Sequence, residues 1–149
     1  MPRGMRYYYE KKPVDFIVHN MEKTSTHTEE EARKVAEDIV KDPRRMAISD
    51  ALADIFIGPA LYPESYDSWY NDMENDQKQI PLENINIPTL IVHGVRDKIV
   101  PISHGQGTAA RIPNNQFIAI EEGTHVLGWH PDYFNLVRDP MVEFMKKNL

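Results

Sequence analysis

The chain has 149 residues, 41% of them hydrophobic, a formal charge of −6 and no cysteine. That length suits one domain with a modest core, and the apolar runs argue against disorder. Disulfides, thiol nucleophiles and thiolate-bound zinc are excluded, and acids and bases are interspersed, so no basic stripe marks a nucleic-acid face.

The first residues, "MPRGMRYYYEKKP", lack the apolar core of a signal peptide. No segment approaches the roughly 18 apolar residues that a membrane span needs. A cytoplasmic protein is the expectation. Neither internal repeats nor low-complexity tracts occur.

Composition changes near residue 80. Before it the chain reads as helices. In "VDFIVHNM", Val14, Ile17, Val18 and Met21 fit a helical stripe, although Val14, Phe16 and Val18 also fit a strand. The helix is the preferred reading. "THTEEEARKVAEDIVKDP" is the clearest element. Thr28 can cap it and Glu31 can reach back, which is a capping box. Ala32, Val35, Ala36, Ile39 and Val40 form its apolar face, and Pro43 stops it. Ile48, Ala51, Leu52, Ile55 and Phe56 make the stripe of a second helix that Gly58-Pro59 ends. "ESYDSWYNDMENDQKQ" (64–79) reads as a third, with Trp69 and Met73 four apart.

After residue 80, strand and helix alternate. "TLIVH" (89–93) is a continuous apolar run, as expected of a strand buried on both faces. "GQGTAARI" is a short helix, and "QFIAI" (116–120) a second strand. Residues 131–147 make a terminal helix, kinked or restarted at Pro140 with Asp139 as a cap. This order implies a parallel pair with a right-handed crossover. Functional loops in such sheets lie beyond the carboxyl ends of the strands.

Asp97 and His125 both fall in those loops, in "HGVRDKIVP" and "EEGTHVLGWH". Histidine is the natural general base near neutral pH, and a carboxylate on its other nitrogen fixes the tautomer and stabilises the imidazolium. Gly94 and Gly123 let the chain turn sharply. Other readings are plainer. His93 sits at a strand end facing a turn. His93, His104, His125 and His130 with Asp97 lack a short metal-ligand spacing. Trp69, Tyr70 and Phe56 could line an acyl pocket or simply pack.

The residues from "IPTLIVHGVRDKIVPISHG" to the end resemble the C-terminal third of an α/β-hydrolase. In that family the acid follows strand seven in an HGxxDxxVP-type loop and the histidine follows strand eight in a GxH loop. Here these are His93-Gly94…Asp97…Val100-Pro101 and Gly123-Thr124-His125. The resemblance implies an α/β fold: a helical cap-like region over 1–82, then a C-terminal core segment over 83–149 with two parallel strands, a crossover helix and a terminal helix. It implies hydrolysis of small esters or related carbonyl compounds, with Asp97 and His125 as catalytic residues and no cofactor.

The family's G-x-S-x-G nucleophile elbow is missing. Ser25, Ser49, Ser65 and Ser68 lie in other contexts, and Ser103 follows Val100-Pro101 where the family places no nucleophile. The chain is then a fragment of a longer hydrolase, one half of a two-chain enzyme, or a shortened relative serving as a binding or assembly module. A two-stranded sheet leaves open edges and apolar faces. The helices before residue 80 must cover them, or another chain must. Self-association or a complementing chain is therefore expected at the exposed sheet edge.

Overall fold

The computed structural model describes the backbone of residues 2–61 and 80–148, with side chains over 6–53 and 80–148. The helix expected at 64–79, with Trp69, Tyr70 and Met73, lies outside the described residues, as does the Phe56 side chain.

Four helices fill the first part: α1 Pro2–Lys11, α2 Pro13–Thr24, α3 Glu29–Lys41 and α4 Pro43–Leu61. In α2 the helical stripe prevails over the strand reading. Phe16, Ile17, Val18 and Met21 are buried, and Pro13 opens the helix where its missing N–H costs nothing. The capping box of α3 is present. Glu31 N–H donates to Thr28 Oγ1 at 3.3 Å, and Thr28 N–H donates to Glu31 Oε2 at 2.7 Å. Ala32, Ala36 and Ile39 form the buried face, with Val35 and Val40 half-buried at its margins.

Two features of α4 differ from expectation. Its buried positions include Ser49 and Ala53, while Ala51 is exposed. The buried face is turned because Tyr9 of α1 and Phe16 of α2 pack against Ala53. The helix also continues through Gly58-Pro59 to Leu61. Pro59 gives up one backbone hydrogen bond there, and with two residues left the loss stays local.

Strands β1 Thr89–Gly94 and β2 Asn115–Ile120 pair in parallel, with Thr89 opposite Asn115 and Gly94 opposite Ile120. Helix α5 Ile102–Arg111 joins them and packs on both. Continuous apolar sequence predicts full burial of β1, yet Thr89–His93 are only half-buried. One helix packs closely on the pair, and the described residues hold no third strand. A groove of about 410 Å³ runs between Ile118 and Ile120 on one side and Leu136 and Pro140 on the other.

The terminal helix is irregular just before Pro140. A wide turn with i to i+5 bonding, Phe134–Arg138, runs directly into α6 Asp139–Asn148. The Pro140 ring would strike the carbonyl of Leu136 in a regular helix, and a turn wider by one residue relieves the clash. Asp139 is not a cap. Its backbone is helical, and its carboxylate takes the Arg138 guanidinium. Among the described residues no helix is long and apolar enough to cross a membrane.

The main core lies between α2, α3 and the segment that follows His125. Ile17, Val18, Met21, Ala32, Ala36 and Ile39 pack with Val126 and Trp129, and Met46 and Leu52 of α4 close the side. The helices thus grip the histidine loop rather than the strands. Replacing Ile39, which is 1% exposed, by alanine should cost about 2–5 kcal/mol in urea unfolding. Thr28→Ala, which removes the cap and the hydroxyl's bond to Glu31 Oε2, should cost about 1 kcal/mol by the same measurement.

Candidate functional site

The acid loop starts where β1 ends. Asp97 Oδ1 accepts the backbone N–H groups of Ile99 at 2.8 Å and Val100 at 2.9 Å, so the carboxylate shapes its own turn. The other oxygen, Oδ2, accepts from His125 Nδ1 at 2.9 Å. The Asp97 side chain is 6% exposed and that of His125 is 41% exposed. The carboxylate is therefore covered while the imidazole reaches solvent. Among the described residues, His125 Nε2 has no hydrogen-bond partner. His93, as expected, serves the turn: its Nε2–H donates to Val100 O at 2.9 Å and lies 3.7 Å from Asp97 Oδ2. An open cleft of about 240 Å³ lies over these groups, lined by Val92, Gly94, Asp97, Thr124, His125 and Leu127 among others.

Gly94 and Gly123 earn their place differently from the sequence expectation. Neither has a positive φ, so no left-handed turn requires them. The two glycines instead face each other. A Cβ on Gly123 would sit 2.8 Å from Gly94 Cα, and one on Gly94 would collide with the Gly123 carbonyl. Backbone packs on backbone, and that closeness brings the two loops within reach. Gly105 in α5 plays a similar part, since a Cβ there would lie 2.7 Å from His93 Nδ1.

A charged network stands behind the loops. Arg96 binds Glu31 and Glu122 through its guanidinium, at 3.1 Å and 2.8 Å. Arg96 and Thr28 together hold the Glu31 carboxyl down at about 2. Two histidines lie buried beside this network. His27 Nδ1 is 3.0 Å from Ser25 Oγ, and its Nε2 is 3.7 Å from Glu122 Oε2. His130 Nδ1 accepts the Asp132 N–H at 3.0 Å. Burial lowers the pKa of both below the ordinary 6.5, and Arg96 lowers that of His27 further.

The other serines considered as nucleophiles lie elsewhere. Ser25 is 2% exposed and donates to Met21 O at 2.7 Å. Ser49 is buried in α4, Ser103 sits exposed in the first turn of α5 outside the cleft lining, and Ser65 and Ser68 lie outside the described residues. Among the described residues, no three or more of His, Cys, Asp and Glu gather as a metal site. Sequence reasoning missed Arg96, Glu122 and His27, and weighed His130 only as a metal ligand. The available signal was Arg96 itself, a fixed cation directly beside the acid.

No family model matches the chain. It superposes on an α/β-hydrolase fold protein from Nakamurella multipartita with a TM-score of 0.82, over 96% of this chain and 49% of that one, at 23% identity. The chain carries part of an α/β-hydrolase fold. At that identity the likeness speaks for the fold alone. Two curated relatives match shorter segments. A provisionally named non-heme chloroperoxidase from Synechocystis sp. is 40% identical over 73 residues, 46% of this chain and 24% of its own length. Non-heme chloroperoxidase CPO-A1 from Kitasatospora aureofaciens is 33% identical over 79 residues, 52% of this chain and 27% of its own. The chain therefore spans about half of the solved hydrolase-fold structure, and the matched segments about a quarter of either curated relative.

Two outcomes follow from the packing and the charges. Gly123→Ala forces the loops apart and should destabilise by about 1–3 kcal/mol, read from the denaturant midpoint. The unfolded chain protonates its histidines near 6.5 while the folded chain resists at His27 and His130. The stability they confer is thus complete above 6.5 and is lost as pH falls below it. Urea midpoints measured across that pH should drop, and His27→Gln and His130→Gln should each flatten the slope.

Proposed function

We propose that Asp97 and His125 are the acid and base of a Ser-His-Asp acyl-transfer site whose nucleophile and oxyanion donors come from outside this sequence. In this reading residues 1–82 serve as the cap-like region and 83–149 as the catalytic core segment. The observation that carries it is the 2.9 Å contact from His125 Nδ1 to Asp97 Oδ2, with Nε2 left without a partner among the described residues beside an open cleft.

That arrangement supports a definite sequence of proton movements. Asp97 holds the neutral imidazole as the Nδ1–H tautomer, so Nε2 carries the free lone pair. A serine hydroxyl brought to Nε2 gives up its proton as its oxygen attacks the substrate carbonyl carbon. The proton then passes from Nε2 to the departing alkoxide, and an acyl-enzyme remains. Water repeats the steps, losing a proton to Nε2 and releasing the acid. Small esters and related carbonyl compounds are the substrate class. Because one relative is a non-heme chloroperoxidase and the other carries that name provisionally, hydrogen peroxide and chloride belong beside water in the assay as co-substrates.

The partner in this reading is a polypeptide that adds strands to the open edge of β1. The half-burial of Thr89–His93 supports an edge built for a neighbour. The same edge supports a second reading, a non-catalytic module that binds a partner or a second copy there.

The two readings separate when the chain is joined to the nucleophile-bearing half of an α/β-hydrolase fold. Hydrolysis of a p-nitrophenyl ester and fluorophosphonate labelling of the elbow serine should appear in the assembly. His125→Ala should abolish both, and Asp97→Asn should lower kcat on the order of 10⁴-fold. Stable assembly with unlabelled serine, or turnover indifferent to His125→Ala, would favour the binding module.

A further inference from the structure

The acid loop is fastened by the residue just before the acid. Arg96 uses every N–H of its guanidinium. Nε donates to Thr26 Oγ1 at 3.2 Å. Nη1 donates to Glu31 Oε1 at 3.2 Å and to Glu122 Oε2 at 2.8 Å. Nη2 donates to Thr26 O at 3.0 Å and to Glu31 Oε2 at 3.1 Å. The backbone of the same residue is tied on both sides. Its N–H donates to Gly123 O at 2.8 Å, and its carbonyl accepts from Thr26 N–H at 3.1 Å. Lys98 N–H donates to Thr24 O at 3.2 Å, and Ser25 pairs with Asp97 in an isolated antiparallel bridge.

Two stretches far apart in the sequence therefore meet at the Arg96 side chain: the turn from α2 into the start of α3, and the loop that carries His125. A lone exposed ion pair contributes little, because water screens it and two long side chains must be ordered. Here the Arg96 side chain is 21% exposed, and its planar fork meets acceptors on both sides, which an ammonium point charge cannot do. Arg96 touches neither the Asp97 carboxylate nor the His125 ring by any bond of its side chain. Its action on them is through the loops.

We propose that Arg96 is the positioning residue of the dyad, locking the acid loop to Glu31 and the histidine loop through Glu122, so that Asp97 and His125 meet in one fixed geometry. This rests on the reading of Asp97 and His125 as acid and base. A guanidinium in this role acts before any substrate arrives, since preorganised loops need no rearrangement at the moment of reaction.

The test reads the His125 tautomer in the 149-residue chain by two-bond ¹H–¹⁵N imidazole spectroscopy in alkaline buffer, where no nucleophile is needed. The unaltered chain should hold Nδ1–H as the main form, and Asp97→Asn should lose it. Retention in Asp97→Asn overturns the dyad reading itself. Arg96→Ala should also lose it while the amide spectrum of β1 and β2 is kept. If Asp97→Asn loses the tautomer and folded Arg96→Ala keeps it, the positioning role is overturned. Should Arg96→Ala fail to fold, the Glu31→Gln and Glu122→Gln double variant takes its place, since glutamine still completes a capping box. Loss of the Nδ1–H form there supports the role, and retention overturns it.

Discussion

The nearness of Gly94 to Gly123 sets the scale of everything at the carboxyl end of the strands. Parallel pairing runs to its last register position at Gly94 and Ile120. Beyond that point no ladder holds the chains together. Two residues without side chains then let the backbones touch, and Arg96 N–H reaches the Gly123 carbonyl at 2.8 Å. A methyl group at either position would wedge the loops apart. The distance between Asp97 and His125 is thus fixed by main-chain contact first and by their own hydrogen bond second. An exposed imidazole loses rotamer freedom when it is ordered, and loops already in place reduce what that single bond must supply.

The helices contribute from the other side. Val126 follows His125 directly, and Val126 and Trp129 are buried among Ile17, Met21, Ala36 and Ile39. The histidine is therefore anchored one residue from the main core, while its ring stays at the surface. Electrostatics completes the frame. The charges of Arg96, Glu31 and Glu122 surround the loops without entering the cleft, which is lined by Asp97 and His125 but by none of these three. Structural charges and the candidate reacting groups are kept on different faces of the same two loops.

What could be read from the sequence was local. Thr28 and Glu31 announce α3 because a capping box needs only four residues. "TLIVH" and "QFIAI" announce strands because an apolar run bounded by turns has few other uses. Asp97 and His125 were recognisable because the spacing to Gly94 and Gly123 sits beside each. Non-local consequences were hidden. Ala51 looked like part of a buried stripe, and only the packing of Tyr9 and Phe16 on Ala53 turns that face away. Gly58-Pro59 looked like a stop, yet a proline near a helix end loses a single bond. The glycines were rightly singled out but for the wrong physical reason, since close approach leaves no trace in one sequence. Arg96 was passed over because its partners lie in segments that only the fold brings together.

The half-buried strands and the well-buried helical core describe a division of labour inside this chain. Helices α2 and α3 bury their faces fully against each other and against the histidine loop. Among the described residues the pair β1–β2 is covered closely by α5 alone, pairs with no third strand, and has a groove beside Ile118 and Ile120. A two-stranded sheet contributes little independent stability in water. The order of the strand ends must then come largely from the helical side, through Arg96 to Glu31 and through Val126 to α2 and α3. In a full hydrolase-fold sheet neighbouring strands would share that task. In this chain helices α2 and α3 brace the loops of Asp97 and His125, while among the described residues one helix and no third strand pack closely on β1 and β2.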